Sequence, residues 1–171
     1  KKKFLQIFCY IGGLSCIGLY FFDVKNIYLG LTFYFFGLIG FWGSLVFYNS
    51  YLPDIAHKEQ QDKISAKGFS LGYVGSVILL VICLYLIIGR TDEDAIHAMK
   101  LSFVFTGIWW IVFSQYTFYY LPKGNKNKHQ LTFSVVLNGY NELKKVQKLF
   151  FKEATLKRFL IAFFIYSMAV Q

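Results

Sequence analysis

Four long apolar segments, each with few or no charged residues, constrain this chain more than any other feature of its sequence. They cover residues 4–22, 27–52, 69–89 and 99–121. A helix needs about 20 apolar residues to cross the hydrocarbon core of a bilayer, because it rises about 1.5 Å per residue. Lipid offers the backbone no hydrogen bonds, so a spanning segment of this kind has to be helical. The sequence therefore predicts an all-α, polytopic membrane helix bundle.

The composition agrees with a membrane protein. Hydrophobic residues make up 56% of the chain and charged residues 16%, and the mean hydropathy is +0.46. About a quarter of the residues in an ordinary soluble domain are charged. The net charge of +9 would indicate nucleic-acid binding only if the basic residues clustered on one folded surface. They lie between apolar runs instead, so we expect the lipid bilayer, and no nucleic acid, as the partner.

The basic residues are unevenly divided between loops that alternate across the membrane. Loops 1–3, 53–68 and 122–158 fall on one side and hold 15 of the 18 Lys and Arg residues. Short loops rich in Lys and Arg stay in the cytoplasm, according to the positive-inside rule. We therefore expect an integral protein of the plasma (inner) membrane with these three loops on its cytoplasmic side.

The segment between the second and third apolar runs, residues 53–68, is predicted to be a short cytoplasmic turn between two spanning helices. We call it the elbow. Pro53 lacks an amide proton and disfavours helix in the residue before it, so the second helix should end near Leu52. Asp62 and Ser65 are natural N-cap residues for the next helix.

Small residues in both of these helices predict close helix packing, because lipid gives apolar helices no hydrophobic reason to associate. The second run contains Gly30, Gly37, Gly40 and Gly43. Gly68 directly precedes the third run, whose start contains Gly72, Gly75 and Ser76.

Residues 122–158 form a segment of a different kind. Residues 122–128 are rich in Pro, Gly, Asn and Lys, which is typical of a turn or linker. Beyond them, Leu143, Val146 and Phe150 recur at helical spacing with lysines at other positions, which predicts a basic amphipathic helix. Such a helix suits the headgroups of an anionic leaflet. An ordinary solvated connector packed on the bundle is the alternative.

The elbow and the last residues also resemble a known family. The stretches 47–54 (FYNSYLPD), 62–68 (DKISAKG) and 71–75 (LGYVG) are similar to the vacuole-effluxer-like, or autophagy-related amino-acid effluxer, family of the major facilitator superfamily. Residues 159–166 (FLIAFFIY) resemble the start of its seventh helix. At Met168 and Ala169 the chain departs from the acidic residue and glycine that the family often carries there.

The resemblance implies part of a 12-helix major facilitator fold, in which two six-helix halves are joined by a cytoplasmic loop. Residues 1–121 would supply helices three to six of the N-terminal half, and residues 122–158 the connector. Residues 159–171, too short to span a bilayer, would begin the first helix of the C-terminal half. The chain would then be a central piece of a longer protein, with the other helices of that protein as its partners.

The resemblance also implies secondary active transport by alternating access. The cargo would be a small organic solute, for which amino acids are one candidate, with or without a coupling ion. No cofactor is expected. A non-transporting membrane assembly subunit and a membrane-embedded lipid-modifying enzyme are the alternatives.

Polar and aromatic side chains within the spans are the candidates for a substrate path, because a polar group in a membrane is costly unless it faces a cavity or another helix. The candidates are Asn49, Trp42, Tyr48, Trp110 and Gln115. Asn49 lies seven residues after Trp42 and therefore on the same helix face. The alternative for Asn49 is an interhelical hydrogen bond without substrate contact.

Asp54, Asp62 and Lys63 lie at the predicted cytoplasmic end and are candidates for a gate of ion pairs that form and break during transport. Helix capping and solubility are their alternative roles. The sequence contains no nucleophile–base pair, phosphate loop or paired carboxylate within a span, so we expect no enzyme and no catalytic residue. The three histidines lie singly in segments predicted to be loops, and no metal site is expected.

Overall fold

The computed structural model describes residues 1–122, 144–145 and 153–170 of the chain. Within these residues all regular structure is helical, which confirms the all-α prediction. Four of the described helical segments are long and apolar enough to cross a membrane. The chain divides into two compact units, residues 1–124 and 125–171.

The first unit contains five helices joined by short turns. They are α1 (Lys2–Gly18), α2 (Ile27–Asn49), the single turn α3 (Leu52–Ile55), α4 (Gln61–Ile87) and α5 (Asp92–Tyr120). Three 3-10 turns, at Leu19–Phe21, Val24–Asn26 and Lys58–Gln60, connect them. The second unit contributes α6 (Ala154–Val170), whose described side chains are mostly exposed.

The helices begin and end at different residues from the predicted spans. α4 begins at Gln61 rather than at residue 69, and α5 begins at Asp92 rather than at residue 99. Hydropathy marks only the part of a helix that suits hydrocarbon, and the helical backbone continues beyond it into the polar headgroup region. The N-cap prediction for α4, Asp62 or Ser65, is wrong. Gln60 occupies that position, and Asp62 lies in the first turn, where its charge is favourable to the helix dipole.

The end of α2 that was predicted from Pro53 is only approximately correct. α2 ends at Asn49, three residues before the predicted end at Leu52. Pro53 lies in the first turn of α3, where its missing amide proton removes no helical hydrogen bond.

α1 packs on both α2 and α5 at glycine residues. A methyl group added to Gly40 of α2 would lie 2.5 Å from the Cα atom of Gly12. A methyl group added to Gly107 of α5 would lie 2.5 Å from the carbonyl oxygen of Gly13. The two pairs of backbones approach this closely because no side chain separates them. Glycine therefore determines both helix contacts of α1.

A small buried cluster lies where α1 begins and where α2 and α5 end. Its buried members are Leu5, Cys9, Tyr51 and Phe118, with Phe47 and Leu121 packed against them. The rings of Phe4 and Phe47 stack beside it, with centroids 5.2 Å apart and planes 7° apart. We call this the lysine end of the unit, because Lys1, Lys2 and Lys3 lie at the start of α1.

α4 differs from α1 because none of its residues is buried. Its contacts in the unit are mainly with α5. The turn between the two helices passes through Gly89, whose φ of +81° lies in the left-handed region that glycine adopts without strain.

The predicted amphipathic helix of the connector lies largely outside the described residues. Of its lysines, Lys144 and Lys145 are described, with helical backbone and exposed side chains. The division into spans, connector and second half therefore stays a prediction.

Candidate functional site

The lysine end holds three helix termini together through two lysine side chains. Nζ of Lys1 lies 2.9 Å from Oδ2 of Asp54 and donates to the carbonyl oxygen of Ser50 at 3.1 Å. Nζ of Lys2 donates to the carbonyl oxygen of Leu121 at 3.3 Å. Each ammonium group thus lies at a carboxyl end of a helix, where the helix dipole favours positive charge. The starts of the loops at 53 and 122 share one end with residues 1–3, while the cytoplasmic orientation of that end stays a prediction.

Tyr51 fixes the end of α2 against α1. Its side chain is only 3% exposed, and Nζ of Lys1 lies 5.8 Å from the centre of its ring. The Tyr51 hydroxyl is buried and has no hydrogen-bond partner among the described residues. Leaving such a group unpaired costs about 1–3 kcal/mol. Sequence reasoning missed Tyr51, because nothing in the pattern distinguishes it from the exposed Tyr48.

Only one of the three gate candidates takes part in an ion pair in the part of the chain that the structure describes. Asp54 is bound to Lys1, with 45% of its side chain exposed. Asp62 and Lys63 are exposed in the first turn of α4, and neither forms an ion pair with a described residue.

Three of the substrate-path candidates lie on the second half of α2 and are exposed. Trp42 is 51% exposed and Tyr48 47%. Asn49 is the last residue of the helix, and its side-chain amide is exposed with no hydrogen bond to any described residue. An exposed, unpaired amide at this position is free to bind a ligand or a further helix.

The two candidates on α5 serve contacts with neighbouring helices instead. The ring of Trp110 covers Gly12 of α1, since a methyl group there would lie 2.5 Å from ring atom Cζ3, and it meets Phe41 edge to face at 6.3 Å. Oε1 of Gln115 accepts a hydrogen bond from the hydroxyl of Tyr10 at 3.0 Å. Among the described contacts, none joins Trp110 or Gln115 to Asn49.

An open groove of about 420 Å³ lies between the end of α2 and the first half of α4. It is lined by Tyr48, Gly68, Phe69, Gly72, Tyr73 and Ser76. The hydroxyl of Tyr48 lies above Gly68, 2.9 Å from the place that a methyl group would take. Tyr48 is therefore the substrate-path candidate that borders a concave surface.

Of the small residues of α4, Gly68 is met by the hydroxyl of Tyr48 from α2, whereas Gly72 and Gly75 meet no other helix within the described residues. A methyl group at Gly72 or Gly75 would have no neighbour within 4 Å. Ser76 donates to the carbonyl oxygen of Tyr73 in its own helix, at 2.8 Å. The packing role of Gly68, Gly72, Gly75 and Ser76 stays a prediction that concerns a surface outside this chain.

The glycines that do form helix contacts were only partly foreseeable. Gly40 was marked by its glycine-rich run, and the doublet Gly12–Gly13 was a signal that sequence reasoning missed. Gly107 is a single glycine in α5 and carried no signal. The described residues contain no group of three side chains able to hold a metal ion.

Comparison with known proteins gives one family over the full length of the chain. The profile of the family described as "Vacuole effluxer Atg22 like" matches residues 1–171. The protein named "Uncharacterized MFS-type transporter YxiO", from Bacillus subtilis (strain 168), is 33% identical over 97% of this chain. The chain spans 39% of the length of that relative. No solved structure gives a significant match.

Two fungal proteins match a shorter stretch. Autophagy-related protein 22-1 of Aspergillus fumigatus is 31% identical over 52 residues, which is 30% of this chain and 8% of that protein. Autophagy-related protein 22-2 of Aspergillus clavatus is 36% identical over 52 residues, with the same coverage. The family and bacterial names describe an effluxer and a transporter rather than an enzyme, in agreement with the sequence. Because the family profile matches the chain from residue 1 to residue 171, this chain belongs to the vacuole effluxer Atg22-like family.

Proposed function

We propose that the full-length protein containing this chain is a secondary transporter of the major facilitator type. It moves a small organic solute by alternating access, and amino acids are the first solutes to test because of the effluxers in the family. The observation that carries the proposal beyond family membership is the exposed amide of Asn49, which has no hydrogen-bond partner among the described residues. Asn49 is the last residue of α2, one residue before the Ser50 carbonyl oxygen that Lys1 binds, so its amide would bind solute at the mouth of the path.

The substrate path in this proposal runs along the second half of α2. Trp42 and Asn49 share one helix face, and Tyr48 borders the groove beside α4. An uncharged amide binds a zwitterion weakly by itself, so further contacts would come from other helices of the protein. Trp110 and Gln115 are the weaker candidates because their contacts are with α1 and Phe41.

The gate in this proposal is the ion pair at the lysine end. Lys1 and Asp54 join the start of α1 to the segment after α2, so opening that end requires the pair to separate. Asp62 and Lys63, exposed on the neighbouring helix, are available to pair in another conformation. We infer from the distribution of basic residues that this end faces the cytoplasm, and we propose the plasma (inner) membrane as the membrane that the protein spans.

Transport by proteoliposomes tests the proposal. The full-length protein is reconstituted into liposomes that are loaded with a mixture of labelled amino acids. Efflux is measured for the native protein, for Asn49→Leu and for Asn26→Leu. Asn26 is the matched control: it is an exposed amide at the opposite end of α2, with no side-chain capping bond. We expect Asn49→Leu to reduce efflux by at least about tenfold, the effect of losing one hydrogen bond to a charged group, and Asn26→Leu to leave it nearly unchanged.

The outcomes separate the alternatives. Normal efflux by Asn49→Leu would mean that Asn49 packs against another helix and does not line the path. If the native protein moves no solute from a broad panel, the transporter proposal fails and a non-transporting assembly role becomes the better interpretation. Turnover of added phospholipid by the same sample would favour a lipid-modifying enzyme.

A further inference from the structure

Residues 50–54, which lead from the end of α2 into α3, are held against the start of α1 by one lysine and one tyrosine. Nζ of Lys1 donates to the carbonyl oxygen of Ser50 at 3.1 Å and pairs with Asp54 at 2.9 Å. It also lies 5.8 Å from the centre of the Tyr51 ring. Tyr51 is the one buried residue of these five. We call them the 50–54 segment.

Burial of the Tyr51 ring holds this segment more strongly than the bonds of Lys1 do. The ring is part of a buried cluster with residues of α1 and α5, and an aromatic ring buries a large apolar area. The pair between Lys1 and Asp54 is about half exposed on both sides, and exposed pairs contribute little to stability. How firmly the segment stays on α1 therefore depends mainly on Tyr51.

The same side chain carries a polar group that is not satisfied in this position. The hydroxyl oxygen of Tyr51 is buried and has no hydrogen-bond partner among the described residues. A hydroxyl buried in this way gives up its hydrogen bonds to water and gains none in return. The oxygen is shielded from solvent already in this unit, so a helix from elsewhere in the protein reaches it only after this end has opened.

The 50–54 segment is able to leave α1 without separating the long helices. α2 contacts the backbone of α1 at Gly40, about two and a half turns before its own end. The turn α3 is held by hydrogen bonds from the amides of Asp54 and Ile55 to the carbonyl oxygen of Tyr51. An isolated helical turn is unstable in water. These bonds therefore depend on the packing of the segment and are lost when it is released.

We propose that Tyr51 sets the balance between the closed lysine end seen here and an open form in which the 50–54 segment has left α1. The ring favours the closed form. The hydroxyl favours the open form, because it is unpaired when the end is closed and hydrated when the end is open. A gate needs such a balance, since both of its forms have to be populated during transport. The proposal rests on the proposed function only in treating this end as a gate.

Hydrogen–deuterium exchange of the full-length protein in lipid nanodiscs tests the proposal without any substrate. The amides of Asp54, Ile55 and Ala56 donate to carbonyl oxygens of residues 51 and 52, so they exchange when the segment is released. Mass spectrometry of the peptides that contain them measures the rate. We expect Tyr51→Phe to slow this exchange at least about fivefold, the effect of removing an unpaired buried hydroxyl from the closed form.

Two further variants separate the hydroxyl from the ring. Tyr34→Phe is the matched control, because it removes the same hydroxyl from a tyrosine of α2 that is 56% exposed, and it should leave the exchange of these amides unchanged. Tyr51→Leu removes the ring together with the hydroxyl and leaves the buried cluster underfilled, so it should speed the exchange. Opposite effects of Tyr51→Phe and Tyr51→Leu are therefore expected.

Exchange that is unchanged or faster in Tyr51→Phe would overturn the proposal, since the hydroxyl would then have a partner in the closed form. In proteoliposomes, Tyr51→Phe should also lower efflux, because the lysine end opens less often. Normal efflux together with slower exchange would show that release of the 50–54 segment is not a step of transport. If the native protein moves no solute while Tyr51→Phe still slows the exchange, the proposed transport function fails and the effect of the hydroxyl stands.

Discussion

α1 and α4 are both long apolar helices with several glycines, yet they differ in how much of their surface is covered. Six residues of α1 are buried, three of them glycines, whereas none of α4 is buried. α1 has a second backbone against Gly12 and Gly13, while Gly72 and Gly75 of α4 face open space. Glycine content alone therefore does not make a helix contact. That Gly72 and Gly75 contact a helix outside these residues stays a prediction.

The largest expected effect comes from placing a methyl group in the contact between α1 and α2. Gly40→Ala would bring a Cβ atom to 2.5 Å from the Cα atom of Gly12, and backbone cannot move aside as a flexible side chain can. Overpacking of this kind costs about 1–3 kcal/mol. We expect a clear fall in the thermal midpoint of the detergent-solubilised full-length protein.

Gly37→Ala is the matched control for that variant. It lies three residues away on the same helix, and its added methyl group would meet only the Cβ atom of Ser15 at 3.8 Å, an ordinary contact. Its thermal midpoint should stay close to that of the native protein. Equal losses in both variants would mean that the α1–α2 contact is not determined by Gly40.

A smaller effect is expected from substitutions on α4, which test whether its glycines contact a further helix as those of α1 do. In the full-length protein, Gly72→Leu should lower the monodisperse yield in detergent more than Ile78→Leu, because the small-residue stripe predicts a close contact with a helix outside this chain. Both positions are exposed here, so a difference between them would have to arise from segments beyond these residues. The same yield for both variants would show that the stripe faces lipid or water.

The smallest expected effect concerns the ion pair at the lysine end. Both partners are about half exposed, at 48% for Lys1 and 45% for Asp54, and exposed pairs contribute about 0.2–1 kcal/mol. Asp54→Asn should therefore lower the thermal midpoint slightly at low salt and not at high salt, where the pair is already screened. Asp62→Asn, without a described ion partner, should show no such salt dependence. A salt-independent loss in Asp54→Asn would indicate a role in helix capping instead.

The helices themselves were largely predictable because hydropathy and length report directly on a bilayer. The ends of the helices were less predictable. Hydropathy assigns the polar first turns of α4 and α5 to loops, because residues such as Asp62 and Glu93 are unfavourable in hydrocarbon, although they are compatible with helix outside it. α2 ended early for a local reason, the proline in the next turn.

The site was less predictable than the fold because a polar residue in a span has two uses that look alike in sequence. Asn49 and Gln115 are both amides in apolar helices, yet Asn49 is unpaired among the described residues while Gln115 binds Tyr10. The partner of Gln115 is 105 residues away in the chain, and no local pattern encodes a contact at that separation. The pairing of Lys1 with Asp54 was likewise not predictable, because the two residues are far apart in the sequence.

The contact between Gly13 and Gly107 has a consequence for the order of biosynthesis. α1 enters the membrane while 94 residues still separate its glycine from the partner that will cover it. At a synthesis rate of about 5–20 residues per second, that interval lasts roughly 5 to 20 s. During that interval Gly13 has no α5 backbone against it, and the contact between the two helices can form only after α5 has been synthesised. Completion of this bundle is therefore timed by the emergence of α5.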